Sequence, residues 1–328
     1  MAKHSLGAVV VAALCAACSG GPANIAPAGG APLGYSWMRA DAHADKRLLY
    51  VSDYATNGVF VYDYPSGTQV GMLTGMDAPF GQCVDAKGDV YVANSGNGII
   101  DEFQHGGTSP IATYDSKGFP AGCSVDAAGD LAVTNSTTRV GGGNIMVWLG
   151  GKGRPQSYHD EKMCYYLEAA SYDAQGNLIA QGVYTPNQGF TTICGVLKGA
   201  KRMTVIPFNA GIQYMGATTW DGKYLALDEE GSRSEILQAE LQKGKLVEKG
   251  TTTLYGNCDE QYVDVYAPFI VGDKNTPAND RQGTTVIGGN SICKNAFDFW
   301  RYPSGGGPRA ELNSAPAEPY GESVSIAP

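Results

Sequence analysis

The chain has 328 residues, 43% of them hydrophobic and 17% charged, the proportions of a folded protein and not of a disordered one. Its formal charge of −9 is diffuse and no basic cluster is present, which excludes a phosphate-backbone partner; no nucleic-acid role is expected. Glycine (45) and tyrosine (19) are abundant, which favours strands joined by tight turns over helices.

The N-terminal stretch MAKHSLGAVVVAALCAACSGG opens with Lys3 and continues as an apolar run from Leu6 to Ala17. That run is too short to span a bilayer and has the size of an export signal. Ala16-Ala17-Cys18, followed by Ser19-Gly20-Gly21, matches a bacterial lipobox except at Cys15, where the pattern prefers Leu. The reading is a lipoprotein signal peptide over 1–17 and lipidation of Cys18, with export to the cell envelope. Secretion follows if Cys18 is not lipidated. Residues 18–46 begin with Gly, Ala, Pro and Ser and read as a flexible tether and lead-in, ahead of a folded body over 47–328.

Within the body, RLLYVSDY (47–54) reads as a strand. The next segment, PFGQCVDAKGDVYVANSGNGII (79–100), reads as strand, Asp–Gly turn, strand, turn, strand, and TSPIATY (108–114) supplies a fourth strand. The turn Asp recurs at Asp85, Asp126, Asp173 and Asp221, with a glycine following at Gly88, Gly129, Gly176 and Gly222. In such turns Asp accepts backbone N–H bonds and Gly supplies positive φ. The segment 234–250 reads as two strands with a turn at Gly244, and YPSG stands after a third strand at both 64–67 and 302–305. A repeat of this length with four strands fits a propeller blade.

The two ends are complementary. Residues 47–54 match a second strand that has no first strand before it. PYGESVSIAP (319–328) matches a first strand that has no second after it. The predicted fold is therefore an all-β, six-bladed β-propeller closed by pairing of the C-terminal strand with the N-terminal blade. The second strands fall at 48–53, 90–94, 131–135, 178–182, 224–228 and 284–289. The segment PFGQCVDAKGDVYVANSGNGII resembles the NHL-repeat pattern. The whole chain is similar to a group of bacterial lipoproteins of unassigned function, with LLYVSDY, GCSVD and WDGKY segments. That resemblance implies the propeller fold and no particular chemistry.

Six cysteines remain in the body, an even number suited to an oxidising compartment. Cys83 and Cys123 stand one position apart in the repeat, so they point to opposite faces of neighbouring blades and are placed to bridge them. Cys258–Cys293 and Cys164–Cys194 are the remaining expected pairs, each joining loops on one face. No CxxC or CxxH spacing in the body suggests zinc.

The ends of the second strands deliver Asp53, Asn94, Asn135 and Asp228 to the expected channel mouth, with Gln181 or Gly182 in blade four. Carboxylates and amides suit Ca²⁺ or sugar hydroxyls, although Asp and Asn after a strand also commonly cap turns. Tyr54, Tyr158, Tyr165, Tyr166, Tyr184 and Tyr255 are expected in loops on that face, where they could contact a glycan or peptide. Similarity to regucalcin and gluconolactonase-like propellers is limited to architecture, because the early Glu-Gly-Pro segment of that family is missing. The scattered histidines form no catalytic pattern, and no helix follows the glycines of 141–144 to make a phosphate cradle. The leading expectation is a monomeric, non-catalytic module binding an extracytoplasmic ligand or protein. The alternative is a divalent-cation-dependent lactonase, hydrolase or lyase at the channel mouth.

Overall fold

The computed structural model describes residues 34–43, 47–160, 162–184, 191–229, 234–256, 265–271, 284–290, 296–312 and 316–327. The signal segment 1–17, Cys18 and the expected Cys258–Cys293 pair lie outside these residues.

The described strands form six separate antiparallel sheets, the blades of a six-bladed β-propeller. Blade one is built across the two ends of the chain. Pro319–Ile326 is its innermost strand and pairs with Arg47–Asp53, from Arg47 opposite Ile326 to Asp53 opposite Pro319. Gly58–Tyr64 and Thr68–Leu73 follow outward. Trp37–Met38, from the lead-in segment, adds a fifth strand on the outer edge.

Blade two is Pro79–Val84, Val90–Asn94, Ile99–Phe103 and Pro110–Asp115. Blade three is Gly118–Val125, Leu131–Thr138, Gly141–Trp148 and Gln156–Tyr158. In blade four the inner strand is broken into Tyr166–Leu167 and Ser171–Tyr172, both pairing with Leu178–Val183; Thr191–Val196 and Thr204–Val205 lie outside it. Blade five runs Thr218–Trp220, Leu225–Glu229, Glu235–Gln242 and Lys245–Thr253. Blade six runs Val265–Val271, Thr285–Asn290, Ala296–Arg301 and Ala310–Glu311.

Each turn Asp does what the repeat predicts. Asp85 Oδ1 accepts the N–H groups of Lys87 and Asp89, both at 2.9 Å, and Asp126, Asp173 and Asp221 repeat the arrangement. Gly88, Gly129, Gly176 and Gly222 supply the positive φ, between 82° and 93°. The two YPSG segments are also equivalent in structure, each containing a cis Tyr–Pro peptide.

The hydrophobic core is a set of packed seams between neighbouring blades, and the alternation of each second strand explains it. In Arg47–Asp53, Leu48 and Tyr50 face Val90, Val92 and Phe103 of blade two. Leu49 and Val51 face Ile287, Phe297 and Phe299 of blade six. Since successive strand residues point to opposite faces, one apolar strand serves both neighbours. Comparable seams join blades two and three, three and four, four and five, and five and six.

Both disulfides that fall on described residues lie in such seams. Cys83–Cys123 joins the inner strands of blades two and three, Cα to Cα 5.5 Å, as the one-residue shift requires. Cys164–Cys194 also forms, with its Cα atoms 6.2 Å apart. Cys194 differs from expectation in sitting inside the third strand of blade four, buried between blades three and four, and not in a loop. It ties down the segment that leads into the broken inner strand.

Candidate functional site

Inner strands can surround a narrow channel only if their backbones approach closely. The residue four places before each turn Asp is small: Gly81, Gly122, Ala169 and Ala217, with Gly321 equivalent in the closing strand. A Cβ on Gly321 would stand 2.5 Å from the Phe80 carbonyl oxygen, and one on Gly122 would stand 2.7 Å from Ala169 Cβ. These positions bring consecutive inner strands almost into backbone contact. The channel between them holds a cavity of about 180 Å³, whose wall includes Gln82, Ser124, Ser171, Thr218 and Glu322.

The residues expected as ligands at the mouth have structural partners. Asp53 is fully buried. Its carboxylate accepts bonds from Ala55 N (3.2 Å), Thr56 Oγ1 (2.8 Å), Ala317 N (3.3 Å) and Glu318 N (2.9 Å). Asn94 Oδ1 accepts from Asp77 N at 2.8 Å, and its Nδ2 donates to Asp101 Oδ2 at 2.9 Å. Asn135 Nδ2 donates to the Ser116 carbonyl and to Asn144 Oδ1, both at 2.7 Å. In blade four, Gln181 holds the same place and binds Gly216 N, Ala217 O and Asp228 O. Asp228 is buried, and its backbone N–H donates to the Ala217 carbonyl.

A common role emerges. Asp53, Asn94 and Asn135 each clasp the segment that leads into the first strand of their own blade, and none of their bonds reaches another of the four residues. Among the described residues no group of three or more His, Cys, Asp and Glu is placed to hold a metal ion.

Aromatic rings gather beside these strand ends. Phe80 stacks on Tyr320 with ring centroids 5.0 Å apart and planes at 22°. Tyr54 and Tyr320 meet edge to face at 5.5 Å, and Phe119 meets Phe80 at 6.4 Å. The resulting arc crosses blades one, two and three. It is open to solvent: Tyr54 is 42% exposed and the other three rings are half-buried. Of the six tyrosines expected on this face, Tyr54 belongs to the arc and Tyr165 and Tyr166 pair edge to face at 5.2 Å. Tyr158 instead donates to Gln156 on an outer strand, and Tyr255 presents its carbonyl to Trp300 Nε1.

Phe80 and Tyr320 were legible as one repeat position, the residue before the inner-strand glycine of PFG and PYG. In blade four that position is Glu168, five residues before Asp173 as Phe80 is before Asp85. The Glu168 backbone N–H donates to the Gln181 carbonyl. No side-chain hydrogen bond or ion pair engages its carboxyl among the described residues. Desolvation by the surrounding wall pushes the carboxyl up to about 7. Carboxyls shifted by burial in a cleft mark candidate functional sites.

No protein-family model matches the chain, and no curated protein does. Among solved structures, the chain is similar to one in the crystal structure of a nidogen/laminin complex: TM-score 0.58, 16% identity, 86% of this chain and 99% of that one. It is also similar to Kuenenia stuttgartiensis hydrazine synthase, with TM-score 0.56, 14% identity, and 77% and 72% coverage. A third similar structure is a functionally unknown protein from Desulfotomaculum acetoxidans DSM 771, with TM-score 0.55, 9% identity, and 86% and 99% coverage. At these identities the likeness establishes the propeller fold and not an activity.

Proposed function

We propose that the protein is an exported, lipid-anchored binding module of the bacterial cell envelope, which holds a ligand or partner protein at the channel mouth without catalysis. The observation that carries this reading is the arc of Tyr54, Tyr320, Phe80 and Phe119, four rings each touching the next yet open to solvent. Aromatic rings with one face buried and one face accessible suit recognition of sugars, peptides and other flat or apolar groups. The lipobox at Cys18 and the resemblance to NHL-repeat propellers and bacterial lipoproteins support export and anchoring. Two disulfides among the described residues are consistent with an extracytoplasmic location.

A divalent-cation hydrolase at Asp53, Asn94, Asn135 and Asp228 would need Asp53 and Asn94 to give up bonds, made through their oxygens, that hold their blades' lead-in segments. The cost of that rearrangement places the binding reading first.

The test is binding of the exported full chain, in detergent, to arrays of glycans and peptides. Phe80→Ala/Tyr320→Ala is expected to lose the strongest array signals while melting within a few degrees of the parent. Signals that persist undiminished in this double variant would overturn the reading. Cys18→Ser is expected to move the protein from the membrane fraction to the soluble fraction.

A further inference from the structure

The mouth combines features that together specify the charge of its occupant. Its rings present negatively polarised faces, which attract cations within about 6 Å of a ring centroid. Glu168 stands at the Phe80 and Tyr320 position in blade four, two blades round from Phe80 and three from Tyr320, and the inner strands from Phe80 to Glu168, through Gly81, Gly122 and Ala169, are nearly in backbone contact. Its half-buried carboxyl has no bonded side-chain partner among the described residues, and burial is the sole cause of its displaced titration. Among the described residues no Lys, Arg or His forms an ion pair or hydrogen bond with it. A carboxylate or phosphate ligand would meet repulsion here, and a neutral ligand would leave an ionised Glu168 unpaired. A cation would supply the missing counter-charge and lie against the rings, and the chain's charge of −9 favours its approach.

Resting on the reading of the mouth as a ligand site, we propose that its occupant carries a protonated amine or quaternary ammonium group held between Glu168 and the arc of Tyr54, Phe80, Phe119 and Tyr320. The rings set the orientation and contact area, and Glu168 sets the charge preference.

Titration calorimetry of the exported full chain in detergent would use three probes: choline, Nα-acetyl-lysine amide, and 3,3-dimethyl-1-butanol, the neutral isostere of choline. One of the two cations is expected to bind with Kd of about 1 mM or tighter and at least about tenfold better than the neutral isostere. Whichever cation binds better distinguishes a small quaternary amine from a lysine side chain of a protein partner. Glu168→Gln is expected to abolish the margin over the isostere. Glu168→Asp, which keeps the charge, retains part of it. Phe80→Ala weakens cation and isostere alike. Binding of the isostere as tight as that of choline, unchanged in Glu168→Gln but weakened in Phe80→Ala, would overturn the cation preference and leave the aromatic site standing. Failure of all three probes would also overturn the cation inference, while the glycan and peptide arrays test the mouth independently.

Discussion

Asp53 shows how a side chain at a strand end can hold a blade together. It ends a second strand, as Asn94 and Asn135 do, and a ring of such groups reads as an oxygen-rich mouth. Its four hydrogen bonds instead fasten residues from both ends of the chain, Ala55 and Thr56 on one side and Ala317 and Glu318 on the other. Asp53→Ala would leave two backbone N–H groups of the closing segment without this acceptor. A loss of about 2–4 kcal/mol is expected from urea unfolding, since bonds to a charged acceptor exceed those between neutral groups.

Glu168 makes an opposite contribution. Its carboxyl is pushed up to about 7 from 4.5, so between those values the folded state holds more protons than the unfolded state. Stability from this group is therefore intact below about pH 4.5 and declines as pH rises through 7. Glu168→Gln removes the charge, so it should melt higher than the parent at pH 8 and match it at pH 4. The difference at pH 8 is at most roughly 3–4 kcal/mol, because each unit of displacement corresponds to about 1.4 kcal/mol. Equal melting temperatures at both pH values would show that the carboxyl is not desolvated.

At the scale of the element, the inner strands carry the most stringent constraint. Gly81 packs against the Ala121 carbonyl, and the added methyl of Gly81→Ala would have to displace backbone and not a flexible side chain. A destabilisation of about 1–3 kcal/mol is expected by thermal melting. Gly129 has open space around its Cβ position. Its φ of 82° makes Gly129→Ala costly through backbone conformation instead, so the two substitutions separate crowding from chain geometry. Cys83–Cys123 closes a sequence separation of 40 and couples two blades. Cys83→Ala/Cys123→Ala is expected to lose roughly 2–4 kcal/mol of unfolding free energy, the range for loops of this size. Retention of the parent midpoint would mean that the apolar seam around the bridge alone holds these blades together.

At the scale of the molecule, closure is the controlling event. Pro319–Ile326 pairs along the whole of Arg47–Asp53 and also contacts blade two, where Ser323 Oγ donates to Gln82 Oε1 at 2.9 Å and Ser325 Oγ donates to the Gly88 carbonyl at 2.5 Å. Removing residues 319–328 would expose the inner edge of the Arg47–Asp53 strand and leave Gln82 with its bond to Ser52 alone, without its partners Gly321 and Ser323. The truncated chain is expected to lose cooperative unfolding and to aggregate, read by light scattering and circular dichroism. A monomeric truncation with the parent's melting temperature would show that the ring does not depend on its clasp.

The sequence alone determined the six-blade count, the turns, the closure across the termini and the Cys83–Cys123 bridge. Each follows from local turn chemistry or from the two-residue period of a strand, which survives in a linear reading. The tertiary structure decided what the strand ends and inner strands do. Whether Asp53 serves a ligand or a backbone N–H depends on where residues 317–318 return in space. Likewise Phe80, Phe119 and Tyr320 form a surface only because ring closure brings blades one, two and three together. Glu168 shares the repeat position of Phe80 and Tyr320 without sharing their chemistry, and its carboxyl becomes unusual only where neighbouring strands partly desolvate it.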